Sequence, residues 1–309
     1  MDWNSAINGF KAYLMLERSL SENSIIAYED DVLKLFQFFE SEQNGISPLN
    51  VKYEDLERFI KWINNIGLGA RSQARIISGI KAFYKFLLLE DLIEDLPTEL
   101  LEGPKLPRKI PVVLSVDEIA LVFGAIDMST AQGQRDRAML ETLYACGLRV
   151  SELINLKLSN YFSDVGFVKV IGKNDKERII PIGGEAMKQI AFYVEGYRRF
   201  MDNIHSDHLD FVFLNRRGKS LSRISVFNMI KTYVQKAGIK KNVSPHTFRH
   251  SFATHLVEGG ADLRAVQDML GHESITTTEI YTHLDTDYLR DTILNFHPRN
   301  KSQSAFVYN

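Results

Sequence analysis

Cysteine is almost absent from this chain of 309 residues: Cys146 stands alone, so no intrachain disulfide can form and no cysteine-based zinc site can be built. That usage fits a reducing, cytoplasmic setting. Long apolar runs are missing as well. Nowhere do about 18 consecutive apolar residues occur, the length a membrane-spanning helix needs. The start, MDWNSAINGF, has no basic stretch ahead of an apolar one, so neither a membrane span nor an export signal is expected. An excess of positive charge is lacking too: 37 basic side chains meet 39 acidic ones, a net charge of −2. Taken whole, that balance argues against a nucleic-acid partner, which usually leaves a basic footprint. No internal repeat or low-complexity tract stands out. What remains is an ordinary globular composition, 45% hydrophobic and 25% charged, in a chain long enough for two domains, each able to bury a core.

The distribution of charge reverses the argument from its total. Residues 1–100 carry 10 basic and 16 acidic side chains, whereas residues 149–249 carry 18 basic and 9 acidic. The middle of the chain is a basic block, and an ordinary solvated surface with scattered lysines is the competing reading.

Helical periodicity runs through the first hundred residues, as in SIIAYEDDVLKLFQFFE, where Ile26, Val32, Leu33, Leu35, Phe36 and Phe39 recur on helical spacing. About four helices are expected there. In ARSQARIISGIKAFYKFLLLED the cations Arg71, Arg75, Lys81 and Lys85 fall within about a 120° arc of one helix, a positive stripe that a merely solvated face would also explain. The stretch LEGPKLPRKIPVVLS gathers Pro104, Pro107 and Pro111 with Lys105, Arg108 and Lys109, and cannot propagate a helix. It reads as a linker over 104–113, between an N-terminal domain over 1–103 and a second domain over 114–309. Ser115 and Glu118 form a capping box that opens the next helix. The second domain reads as helices with one clear β element, FVKVIGKNDKERIIPIG, two β-branched runs around a polar turn at Lys173 to Lys176. A further short strand is expected at FVFLN, residues 211–215.

Several residues of this second domain could do chemistry. In SPHTFRHSFATHL, Ser244 and Pro245 are an N-cap and a first-turn proline, which puts His246 in the first turn of a helix and Arg249 on the same face. A helix N-terminus with an arginine fork suits a phosphate. The competing reading has His246 capping the helix and Arg249 pairing with an acid. His246 and His250 also share the four-residue spacing of a zinc motif, but Thr247 stands where that motif places its glutamate, and Arg249 would set a cation beside the metal. No metal is expected. Tyr281, in TTTEIYTH, has a phenol of ordinary pKa about 10 and becomes a nucleophile near neutrality only if cations stabilise the phenolate or a base takes its proton. Arg149, Lys173, His246, Arg249 and His272 are the candidates for those tasks; taken singly, a packed amphipathic ring is the commoner role of a tyrosine.

The whole ordered set, ACGLRVSEL with Arg149, GKNDKER with Lys173, HTFRH with His246 and Arg249, LGH with His272, and TTTEIYTH with Tyr281, resembles the tyrosine recombinase family, and within it the bacterial Xer recombinases. The N-terminal stretch SENSIIAYEDDVLKLFQFF resembles that family's core-binding domain. The resemblance implies a mainly α fold with a small β element: an N-terminal helical core-binding domain that clamps DNA, and a C-terminal α+β catalytic domain ending in an exchange helix at about 286–297. It implies that Arg149 and Arg249 clamp the scissile phosphate, with His272 as a third ligand. His246 would handle the tyrosine proton, Lys173 would protonate the departing 5′ oxygen, and Tyr281 would form a 3′-phosphotyrosyl bond. Rejoining would then need neither ATP nor a metal, and no cofactor is expected. Arg71, Arg75, Lys81, Lys176 and Arg178 are the expected DNA contacts. One departure is visible: Asn174 replaces the second glycine of the family's G-K-G turn, a residue that tolerates the left-handed conformation.

The partners implied are a double-stranded recombination site, a second Xer recombinase in a tetramer on two duplexes, and an FtsK-type DNA translocase acting in chromosome dimer resolution. The rivals are a phage or mobile-element integrase of the same chemistry and a non-catalytic DNA-binding protein. Residue 1 lies close to the start of the core-binding domain, leaving no room for the arm-binding domain of many phage integrases, and this favours the Xer reading.

Overall fold

The computed structural model describes residues 1–42, 45–106, 111–172, 176–271 and 283–301, the side chains of 283–287 and of 301 apart. The chain divides into two compact units, Met1–Lys109 and Ile110–Asn309. Among the described residues no helix is long and apolar enough to cross a membrane.

Among the described residues four α-helices build the first unit: α1 (Trp3–Leu16), α2 (Glu22–Ser41), α3 (Tyr53–Asn65) and α4 (Ala70–Leu89). Asp2 starts α1 by accepting the Ser5 N–H at 2.7 Å, satisfying a donor that the first turn leaves open. Aromatic rings fill the centre. Trp3 stacks on Phe36, Phe39 and Phe83, and Phe10 meets Phe83 edge-on, burying large apolar area in ring geometries that suit their quadrupoles.

Where α2 crosses α4, one carboxyl is buried. Asp31 is 2% exposed, and a side chain at Gly79 would place its Cβ 2.6 Å from the Asp31 carboxylate, so glycine is what lets the two helices approach there. Arg75 reaches in from α4, its Nη1 donating to Asp31 Oδ2 at 2.8 Å and to the Ala27 carbonyl at 3.1 Å.

The second unit is organised around α6 (Ala131–Ala145), which follows α5 (Val116–Gly124) and is buried on all sides from Ala138 to Cys146. Such a helix has no polar face to turn outward. Its buried acids are therefore all paired: Asp136 with Arg135 and the Tyr233 hydroxyl, Glu141 with Arg137 and Arg299. The capping box at the start of α5 is formed, Ser115 N donating to Glu118 Oε2 at 2.8 Å and Glu118 N to Ser115 Oγ at 3.1 Å. After the short α7 (Val150–Ile154) comes a three-stranded antiparallel sheet in the order β1 (Tyr161–Phe162), β2 (Phe167–Ile171), β3 (Glu177–Pro181), with Val168 opposite Ile180 and Val170 opposite Arg178. Helices α8 (Gly184–Gly196), α9 (Arg223–Lys236), α10 (Pro245–Glu258), α11 (Leu263–Leu270), α12 (His283–Phe296) and α13 (Pro298–Lys301) complete it.

One expectation changes. The strand expected at 211–215 is not formed; only isolated bridges occur there, Lys157 with Phe211 and Leu214 with Ser220. Side chains have taken the places a neighbouring strand would fill: Arg198 Nε donates to the Phe211 carbonyl, Arg135 Nη1 to the Leu214 carbonyl, and Leu214 N to the Tyr193 hydroxyl. The apolar stripe expected on the C-terminal helix is present in α12 and is buried against the second unit. Leu289 and Ile293 belong to that unit's core and Phe296 lies against it.

Asp31 yields a stability prediction. Burial pushes its carboxyl up to about 6 from an ordinary 3.8, although the Arg75 guanidinium opposes the rise. A carboxyl that binds its proton more readily when folded stabilises fully below the unfolded value, and that contribution is lost as pH rises through the folded value. Between pH 5 and pH 7 the wild type therefore loses stability that Asp31→Asn does not lose. Urea unfolding of the full chain at both pH values measures this; parallel pH dependences would contradict it.

Candidate active site

Three arginines from three different elements converge on one carboxylate. Arg149 is the N-cap of α7, and Glu152 is the third residue of that helix, so the Glu152 side chain turns back to accept the Arg149 backbone N–H at 2.7 Å. This is capping-box chemistry with an arginine in the cap position. The Arg149 side chain also comes to Glu152, Nη1 to Oε1 at 2.9 Å. From β3, Arg178 meets the same carboxylate as a fork, Nη1 to Oε1 at 2.7 Å and Nη2 to Oε2 at 2.8 Å, the bidentate geometry in which an arginine and a carboxylate pair most strongly. From α10, Arg249 Nη1 lies 3.9 Å from Glu152 Oε2.

The same arginines cap a helix end. The last carbonyls of α11 have no partner within their own helix and carry its negative dipole end. Arg178 Nε donates to the Met269 carbonyl at 2.8 Å, Arg249 Nη2 to the Leu270 carbonyl, and Arg149 Nη2 to the Gly271 carbonyl at 3.4 Å. Three successive carbonyls receive three arginines. Gly271 closes the helix with φ +64°, the left-handed cap that glycine adopts without strain. Arg249 is held from its other side by the Gly147 carbonyl, at 2.7 Å from Nη1.

Electrostatics follow from this packing. Burial alone would raise the Glu152 pKa, but the Arg178 fork, helped by Arg149, outweighs it and holds the carboxyl below its ordinary value, so Glu152 is an anion near neutrality. Arg249 is 8% exposed, and burial, with Arg149 as a further cause, lowers its pKa to about 10, which still leaves it charged. Three guanidiniums against one carboxylate make a site with surplus positive charge, suited to an anion that gains charge during reaction.

The expected site residues are placed unequally. Arg149 and Arg249 share Glu152 and the α11 carbonyls. His246 is exposed in the first turn of α10, one turn before Arg249, where Ser244 N donates to Thr247 Oγ1 at 3.1 Å. Lys173, His272 and Tyr281 lie outside the described residues. Arg71 and Lys81 are exposed on α4, and Lys176 is exposed at the foot of β3. Arg75, expected to contact DNA, is half-exposed but is tied to Asp31. Arg178 departs most from expectation: it is 6% exposed and bound to Glu152 and the Met269 carbonyl, so it does not present itself to a phosphate. The residue passed over in the sequence is Glu152. Its position three residues after Arg149, at the start of a helix, was the available signal.

Comparison with known proteins follows the same divisions. The chain matches the Phage integrase family over residues 113–287 and the phage integrase N-terminal SAM-like domain over residues 7–91. It is 44% identical over 300 residues to Tyrosine recombinase XerD of Chlorobaculum tepidum, covering 96% of this chain and 97% of that protein. It is 43% identical over 294 residues to Tyrosine recombinase XerD of Staphylococcus aureus, covering 95% and 98%. Its fold is similar to that of XerH site-specific recombinase bound to difH substrate in a pre-cleavage complex, with a TM-score of 0.65 at 20% identity over 93% of this chain and 80% of the other. It is also similar to a lambda integrase dimer bound to a COC′ core site, with a TM-score of 0.66 at 18% identity over 91% and 100%.

Gly147 supplies the prediction from this geometry. Its φ is +56°, and a Cβ there would lie 2.3 Å from Phe252 Cδ1 on α10. Gly147→Ala therefore meets both backbone strain and a clash under the helix that carries Arg249, and should destabilise the protein by about 2 kcal/mol or more. Denaturant unfolding measures the loss; a variant as stable as wild type would show that the turn relaxes freely.

Proposed function

This chain belongs to the phage integrase family and is a site-specific tyrosine recombinase, and on that footing we propose that it resolves chromosome dimers by cutting and rejoining DNA through a 3′-phosphotyrosyl intermediate. The observation that carries the mechanism is the joint anchoring of Arg149 and Arg249 by Glu152 and the carbonyls at the C-terminal end of α11. Guanidiniums held this way need no reorganisation when charge develops on the non-bridging oxygens of a scissile phosphate, and fixed donors stabilise the transition state more than the ground state.

In this reading the Tyr281 oxygen attacks phosphorus and gives its proton to His246. The phosphorus–5′ oxygen bond breaks, and Lys173 protonates the departing oxygen. His272 joins the two arginines on the phosphate. The 5′ hydroxyl of the partner strand then attacks the same phosphorus and returns its proton to Lys173, the phosphorus–Tyr281 oxygen bond breaks, and His246 gives the tyrosine its proton back. Bond count and charge are conserved throughout, so no nucleotide cofactor or metal is required. Arg71, Lys81 and Lys176 supply backbone contacts to the duplex, which position it without reading its sequence.

The two XerD relatives are matched along nearly their whole length, which supports the Xer reading over a phage or mobile-element integrase. We place the protein in the cytoplasm, with a second Xer recombinase in a tetramer on two duplexes and an FtsK-type translocase as partners.

Two experiments test this chemistry on a nicked duplex selected from a random-sequence pool by adduct formation with the wild type. Tyr281→Phe keeps duplex binding but gives no covalent adduct, because the ring remains while the attacking oxygen is gone; an adduct from that variant removes Tyr281 from its role. Lys173→Ala cleaves an ordinary phosphodiester poorly, yet is largely rescued on a substrate with a 5′-bridging sulfur, a leaving group that needs no proton. Equal impairment on both substrates places the acid elsewhere, with Lys176 next in line.

A further inference from the structure

Arg178 is buried within the site and faces the carboxylate rather than the solvent. It is 6% exposed, holds both oxygens of Glu152, and lies beneath the cap of α11, where a Cβ on Gly271 would come within 3.2 Å of its Cδ. Among the described residues Glu152 is the anion closest to both phosphate-facing arginines, 2.9 Å from Arg149 and 3.9 Å from Arg249. Left unbalanced, its charge would fall on those two side chains and weaken the field they offer to a phosphate.

We infer that Arg178 is a positioning residue that neutralises Glu152, so that Glu152 can orient Arg149 without cancelling the charge that Arg149 and Arg249 present to the scissile phosphate. This rests on the recombinase reading above. In this role Arg178 contacts neither DNA nor the reacting atoms. Its effect belongs to the chemical step, because the phosphate gains negative charge between ground state and transition state, and a weakened field costs more in the second than in the first. A simple structural tie between β3 and α11 would behave differently: its loss would lower stability, and removing the carboxylate as well would repair nothing.

The test uses full-length protein and the nicked duplex selected by the wild type. At saturating duplex, Arg178→Gln should slow single-turnover adduct formation by about 30-fold while its duplex Kd stays within about threefold of wild type. Arg178→Lys, which keeps the charge but not the fork, should stay within about fivefold of the wild-type rate. The double variant Arg178→Gln with Glu152→Gln should recover about tenfold over Arg178→Gln alone, since no unbalanced carboxylate remains. A double variant no faster than Arg178→Gln, or a loss confined to Kd, overturns the inference, as does Arg178→Gln at the wild-type rate. Should Arg178→Gln fail to fold, the double variant carries the test, because it leaves no buried carboxylate unpaired and Arg249 keeps its two carbonyl partners. It should then fold, bind duplex and cleave within about tenfold of wild type, and failure to cleave while folded and bound overturns the inference. Failure of the wild type to form any adduct would instead sink the recombinase reading itself.

Discussion

One buried carboxylate holds Arg149, Arg178 and Arg249 in register. Glu152 receives the Arg178 fork and both the backbone and the side chain of Arg149, and it lies beside Arg249. A carboxylate in this position is costly unless fully paired, and the pairing is what brings α7, β3 and α10 together at one point. The remainder of the unit can be understood as the scaffold that this convergence requires. The buried C-terminal half of α6 leads into the Gly147 turn, that turn presents its carbonyl to Arg249, and α11 ends where three guanidiniums can reach its last carbonyls.

Pairing arginines with carbonyls as well as with a carboxylate has a chemical consequence. Carbonyl oxygens fix the direction of a guanidinium without neutralising it, whereas each carboxylate would cancel one charge. Arg249 is anchored by two carbonyls, Gly147 and Leu270, and only approached by Glu152. The site thereby keeps a surplus of positive charge while holding its geometry, the combination that stabilising an anionic transition state calls for. In the first unit the opposite arrangement occurs: Arg75 on α4 is committed to Asp31, which ties that arginine to the helix crossing rather than to a ligand.

Much of this was legible in the sequence, and the reasons differ by element. Helix starts were readable because capping is local: Ser115 with Glu118, and Ser244 before Pro245, fix α5 and α10 within a few residues. The β2–β3 hairpin was readable because its apolar runs flank a polar turn. Residues 211–215 misled for the same reason, since a short apolar run signals burial but not what fills its backbone hydrogen bonds, and Arg198, Arg135 and Tyr193 fill them here. Arg178 misled because a cation near a polar turn suggests a surface, and only the fold reveals that its β3 position points at Glu152. Glu152 itself went unassigned because an acid among arginines that are expected to hold phosphate has no evident task until its three neighbours are seen around it.

The central claim, that Glu152 and Arg178 form a buried base on which Arg149 and Arg249 face the phosphate, is tested most directly by a crystal structure of the protein bound to its nicked DNA site. The account predicts Arg149 and Arg249 within hydrogen-bond distance of the non-bridging oxygens of the scissile phosphate, with Arg178 still forked on Glu152 and out of contact with DNA. A structure in which Arg178 leaves Glu152 for the phosphate, or in which Arg149 and Arg249 both lie away from it, would contradict that account.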